Sequence, residues 1–161
     1  MKSILFALLL SLFSLTAQAQ HEQDFVTHYT EHYGKDNQLT CLTVSPAMIK
    51  AILNIEKCQE EPEIQEFLRS VKSVQMLTSL FSEGSSAVHY ERAEKMMEQN
   101  SGRYQLLIEH GQKKIYARHR GDSIVEVVMF MDEEGTDSFL LVDITGEMTQ
   151  KQLERSVSSK I

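Results

Sequence analysis

The sequence predicts an α+β domain built on an antiparallel sheet, and three observations carry that reading. The last third holds four β-like runs, Tyr104 to His110, Ile115 to His119, Ile124 to Met131 and Phe139 to Thr145, separated by glycine-bearing turns. Ahead of them, apolar residues recur at helical spacing in separate stretches. LTCLTV and VKSVQMLTS add two shorter strand-like runs. The expected architecture is a C-terminal four-strand meander plus one or two N-terminal strands, covered on one face by helices.

The chain opens MKSILFALLLSLFSLTAQAQ. Lys2 is a short basic region, Ile4 to Leu15 is mostly apolar, and Ala17-Gln18-Ala19 places small residues where signal peptidase reads them. The segment lacks the polar face and cap of a core helix. It predicts a signal peptide over residues 1–19, cleaved after Ala19, and one exported domain over residues 20–161. No cysteine stands at the cut to take a lipid, and no later stretch is apolar enough to span a bilayer. The expected location is the periplasm. A domain of this length buries about 70% of its unfolded surface, enough for a core without staples.

Phe25, Tyr29 and Tyr33 fall four apart and predict a helix ended by Gly34. LTCLTV follows as a strand. Ser45 then caps a helix whose first residue, Pro46, needs no N–H there. Met48, Ile49, Ile52, Leu53 and Ile55 supply its apolar side. Glu56 to Glu63 is acidic and contains Pro62, which reads as a surface connection. Ile64, Phe67 and Leu68 predict a short helix, and Val74 and Met76 mark the next strand. The serine-rich 82–86 stretch leads into a helix from Ala87 to about Gln99, with Ala93, Met96 and Met97 on its buried side.

In the meander, Gly111-Gln112 fits a two-residue loop that pairs Leu107 with Tyr116 and Glu109 with Lys114 and puts Leu106, Ile108, Ile115 and Ala117 on one face. His119-Arg120-Gly121 fits a three-residue loop with Gly121 left-handed, bringing Val125, Val127 and Met129 to that face. Glu133-Glu134-Gly135 repeats the device and brings Phe139 and Leu141 there too. The tripeptide Arg120-Gly121-Asp122 matches a cell-adhesion motif, but the turn accounts for its glycine by backbone need alone. Thr149 and Gln152 then have capping-box spacing, with Met148 able to pack on Leu153.

Composition excludes some functions. The formal net charge is −7 and Lys and Arg are scattered, so a nucleic-acid partner lacks its electrostatic footprint. There is no Gly-x-Ser-x-Gly elbow, phosphate-cradling loop or dinucleotide fingerprint. Cys41 and Cys58 are either a disulfide, contributing about 3 kcal/mol in the chain-entropy model, or two free thiols.

His28 and His32 lie one helical turn apart with Asp24 a further turn back, the most enzyme-like grouping in the chain. A hydrolytic zinc site needs a third ligand and a positioned base, and Tyr29 stands where the zincin motif carries glutamate. Glu126 interrupts the apolar run IVEVVMF; it either faces solvent or is paired with a cation, and the solvent-facing position is the simpler reading. No catalytic, cofactor-binding or metal residue is assigned.

LTCLTVSPAMI, VKSVQMLTS and YQLLIEHGQKKIYARHRGDSIVEVVMFM together resemble the bacterial family known as domain of unknown function 4252. The best local feature is the Gly-x-x-Ile-x-Glu order at Gly121, Ile124 and Glu126. The acidic insert around Pro62 and the cysteine pair depart from that pattern. The resemblance implies an exported α+β domain and brings no catalytic residue with it. The function expected is a non-catalytic binding or accessory module of the bacterial envelope, whose partner is an unknown envelope protein or small molecule. The competing expectation is a metal-dependent hydrolase using His28 and His32.

Overall fold

The structure, a computed structural model, describes residues 23–34, 39–55, 61–79, 85–133 and 138–158. The residues expected to form a signal peptide, Cys58, and Glu134 and Gly135 of the expected third loop lie outside the described residues. In chain order the elements are α1 (Phe25–Tyr33), β1 (Leu39–Val44), α2 (Pro46–Leu53), α3 (Pro62–Ser70), β2 (Val71–Ser79), α4 (Ser85–Gln99), β3 (Tyr104–His110), β4 (Lys113–Arg120), β5 (Ser123–Glu133), β6 (Ser138–Met148) and α5 (Gln150–Ser158). The six strands form one antiparallel sheet in the order β1-β2-β6-β5-β4-β3. Both expected N-terminal strands are present, on the β6 side of the meander.

Local signals explain most element ends. Ser45 accepts a hydrogen bond from the Met48 N–H at the start of α2. At α5, the Thr149 N–H donates to Gln152 Oε1 at 2.8 Å and the Gln152 N–H donates to Thr149 Oγ1 at 3.2 Å, a reciprocal capping box. Met148 and Leu153 pack in the same cluster. Pro62 corrects the reading of a connection through Glu63: it is the first residue of α3, where proline's missing N–H is harmless.

Two hairpins turn on left-handed glycines, Gly111 at φ 58° and Gly121 at φ 60°. The first pairs Glu109 with Lys114 as expected, with Lys114 Nζ 3.2 Å from Glu109 Oε1. Leu107 is the extra residue of a bulge between Leu106 and Ile108, so Tyr116 pairs with Leu106 and not with Leu107 as expected. Leu107 and Ile108 therefore pack with Ile115 and Ala117, while Leu106 is exposed. At the second hairpin Arg120 pairs with Ser123, so the loop is Gly121-Asp122 rather than the three residues expected. A bulge at Val125 restores the alternation, and Val127 and Met129 do join Ile115 and Ala117.

The β5–β6 register departs from expectation. Glu133 pairs with Ser138 and Val127 with Ile144, where a three-residue link would set Val127 opposite Leu141. An odd offset reverses faces, because side chains alternate with period two. Phe139 and Leu141 thus lie across the sheet from Val127.

Each face has its own core. Phe25, Val26 and Tyr29 of α1 and Ala93, Met96 and Met97 of α4 pack with Leu77, Tyr104, Val128, Phe130, Phe139 and Leu141. On the other face, Leu153 of α5 and Phe67 of α3 join Ile115, Ala117, Ile124, Val127 and Met148. The helical cover expected on one face is therefore continued by a second layer. Strands apolar on both sides, such as β5, require it.

β6 also passes very close to the α3–β2 junction. A Cβ added at Gly146 would stand 2.2 Å from the Ser70 carbonyl oxygen and 3.1 Å from Val71 Cα, whereas one at Gly102 would meet nothing within 4 Å. Gly146→Ala should lower unfolding free energy by about 1–3 kcal/mol, the usual cost of forcing atoms into a packed site. Urea denaturation checks this, with Gly102→Ala expected to stay within about 0.5 kcal/mol of wild type.

Candidate functional site

The densest polar cluster lies under the first turn of α1. The opening N–H groups of a helix have no intrahelical acceptor and make that end electropositive. Here three consecutive N–H groups each meet a different carboxyl group. Phe25 N–H donates to Glu126 Oε1 at 2.7 Å, Val26 N–H to Asp143 Oδ2 at 3.0 Å, and Thr27 N–H to the N-cap, Asp24 Oδ1, at 2.8 Å. Asp24 is local, but Glu126 comes from β5 and Asp143 from β6. Phe25 and Val26 are themselves buried beside these bonds.

Glu126 and Asp143 are both fully buried, which corrects the solvent-facing reading of Glu126. Pairing across β4 and β5 sets Arg118 directly opposite Glu126, and Arg118 Nε lies 2.6 Å from Glu126 Oε2. The Tyr104 hydroxyl donates to Glu126 Oε1 at 3.0 Å. Burial, reinforced by the Glu126 carboxylate, drives the Tyr104 phenol far above its ordinary range, so it stays a donor. Glu126 thus receives hydrogen bonds from an amide, a phenol and a guanidinium. Removing one partner of a buried ion pair typically costs about 3–5 kcal/mol, because the other charge is stranded.

Asp143 is different. Burial first, and then the nearby Glu126 charge, raise its pKa to about 8, while the Val26 amide opposes the shift. Its second oxygen, Oδ1, is buried and receives no hydrogen bond among the described residues. A carboxylate would leave that oxygen charged and unsolvated. A neutral acid can donate a proton, and Glu126 is its hydrogen-bonding neighbour. Burial and the neighbouring carboxyl group thus favour the protonated form of Asp143, the usual outcome when two such groups share a dry site.

A second contact fixes the next turn of α1. The Tyr29 hydroxyl lies 3.0 Å from His89 Nδ1 and donates to the His89 carbonyl at 3.2 Å, with both side chains buried. Phe139 packs against both rings. Helix α1 is thus bonded to β5, β6 and α4.

Of the sequence-derived metal candidates, Asp24 belongs to this cluster and the two histidines sit elsewhere. The His28 and His32 rings lie 4.6 Å apart on the outer flank of α1, and His32 Nδ1 is 2.9 Å from the His28 carbonyl oxygen. Asp24 is engaged as the N-cap, and no group of three metal-type ligands occurs among the described residues. Arg120-Gly121-Asp122 is the β4–β5 turn, and Cys41 is exposed on β1. Asp143 is absent from the sequence-level candidates. Its only signal is a carboxylate breaking an apolar run, FLLVDIT, as Glu126 breaks IVEVVMF.

Residues 32–155 match the family described as Domain of unknown function (DUF4252). The chain belongs to the DUF4252 family. The match begins in the last turns of α1 and ends within α5, so it takes in the whole sheet and both carboxyl groups beneath the helix. Asp24, Phe25 and Val26, which complete the cluster in this DUF4252 protein, lie just ahead of it. No curated protein matches the chain.

The cluster makes stability depend on pH. Asp143 binds its proton more tightly folded than unfolded, where its reference pKa is 3.8. Its contribution is complete below about pH 4 and is lost as pH rises through about 8, at a slope of up to about 1.4 kcal/mol per pH unit. Asp143→Asn keeps an acceptor for Val26 and gains an N–H donor for Glu126. Chemical denaturation from pH 4 to 9 should show that slope in wild type and its loss in Asp143→Asn. An unchanged slope in the variant would contradict the assignment.

Proposed function

We propose that this DUF4252 protein is an exported, non-catalytic binding or accessory module of the bacterial cell envelope, its leader removed after Ala19. One observation carries the non-catalytic part: the acid–carboxylate pair is consumed by architecture. A general acid or base must come within hydrogen-bond reach of a substrate. Glu126 and Asp143, both 0% exposed, instead touch helix amides, a phenol and a guanidinium.

Features that suit a partner are on the surface. β1 is an edge strand with mostly exposed side chains, Leu42 among them. α2, which follows it, exposes Met48 and Ile52, and Ile55 is exposed just beyond its end. Exposed apolar side chains that form a contiguous patch are a common mark of contact surfaces, and these four come from β1, α2 and the residues just after it. No helix among the described residues is long and apolar enough to cross a membrane. Export rests on the leader-like residues 1–19.

Cell fractionation with intact-mass measurement tests the reading. The expected result is a periplasmic chain beginning at Gln20, carried in a larger complex that weakens when Leu42 and Ile52 are both changed to Ser at unchanged Tm. A cytosolic chain retaining residues 1–19, or a complex indifferent to those changes, would overturn it.

A further inference from the structure

We propose that the cleft between α2 and α3 binds the anionic end of a small ligand, a carboxylate or a phosphate. The proposal rests on the reading of this chain as a binding module and names the ligand chemistry. The cleft, of about 520 Å³, is lined by Lys50, Leu53, Asn54, Gln65 and Arg69. Lys50, Leu53 and Asn54 come from the end of α2 at helical spacing, and Gln65 and Arg69 stand one turn apart on α3. Two helices thus bring two cations and two amides around one apolar side chain, with no carboxylate in the lining among the described residues.

That composition is unusual for a chain with a formal net charge of −7. Three cations elsewhere are matched by carboxylates: Lys72 with Glu147, Lys114 with Glu94 and Glu109, and Arg118 with Glu126. Arg92 lies over the Tyr33 ring and Arg103 over Tyr104. Lys50 and Arg69 have no such partner among the described residues. Like charges brought to one concavity repel, and an anion between them reverses the sign of that interaction. Arginine offers a planar fork to carboxylate or phosphate, lysine a point charge, and the amides neutral donors. Leu53 offers contact for a short apolar portion of the same ligand. The cleft is open to solvent, where salt screens exposed charges, so the expected affinity is millimolar and salt-dependent.

Titration of the mature chain with inorganic phosphate and with succinate, at ionic strength held constant with sodium chloride, tests this by amide NMR shifts. The expected result is saturable shifts at Lys50, Asn54, Gln65 and Arg69. Saturation by phosphate alone assigns a phosphate-bearing ligand, and by succinate alone a carboxylate. Lys50→Gln with Arg69→Gln should weaken binding at least tenfold at unchanged Tm, and Arg69→Lys should weaken it less. Non-saturating shifts spread equally to Lys95 and Lys151, or a double variant that titrates like wild type, would overturn the proposal. Such a failure leaves the envelope reading standing, since localisation and the Leu42 and Ile52 variants probe neither cation.

Discussion

The structure depends on how an N-terminal helix is bonded to the middle of a sheet. Amides at the start of α1 donate to carboxyl groups from β5 and β6, next to each other in the sheet order. Backbone N–H groups buried without acceptors would oppose docking, and buried carboxyl groups without donors would oppose sheet closure. Each set satisfies the other. The remaining terms follow from that contact: Phe25, Val26 and Tyr29 can enter the core only when α1 lies across these strands, and Tyr29 then reaches His89 on α4.

The same contact requires one carboxyl group to remain protonated. Two carboxylates beside a single arginine would place net negative charge in a dry site, and a helix terminus carries only about half a positive charge. Protonation of Asp143 removes the conflict and makes its carboxyl group a donor toward Glu126. Perturbed carboxyl pairs are often sought as catalytic centres. Here burial under a helix explains the perturbation, and the surface is the better place to look for ligands.

Much of the architecture is legible in the residues because its determinants are local. Gly111 and Gly121 fix two turns, Thr149 and Gln152 fix the start of α5, and Ser45-Pro46 fixes that of α2. What is not legible depends on counting residues across bulges. A three-residue loop at Gly121 would pair Arg118 with Asp122 and conceal the pair with Glu126, which exists because Val125 is bulged. Likewise the odd offset between β5 and β6 decides which face receives Leu141, and no local motif fixes it. Asp143 becomes meaningful only once the register puts it opposite Val128, two residues along from Glu126. Pro62 has two local readings, breaker and first helical residue, and packing of α3 on α5 selects the second.

Native-state hydrogen exchange at the Phe25 and Val26 amides tests the central claim most directly. A helix end held by carboxyl groups of the sheet should exchange only by unfolding with it. The account predicts protection at these two amides equal to that of Val128 and Leu141 and a matching denaturant dependence. Exchange at the low free energy of a fraying terminus, with Val128 and Leu141 still protected, would contradict it.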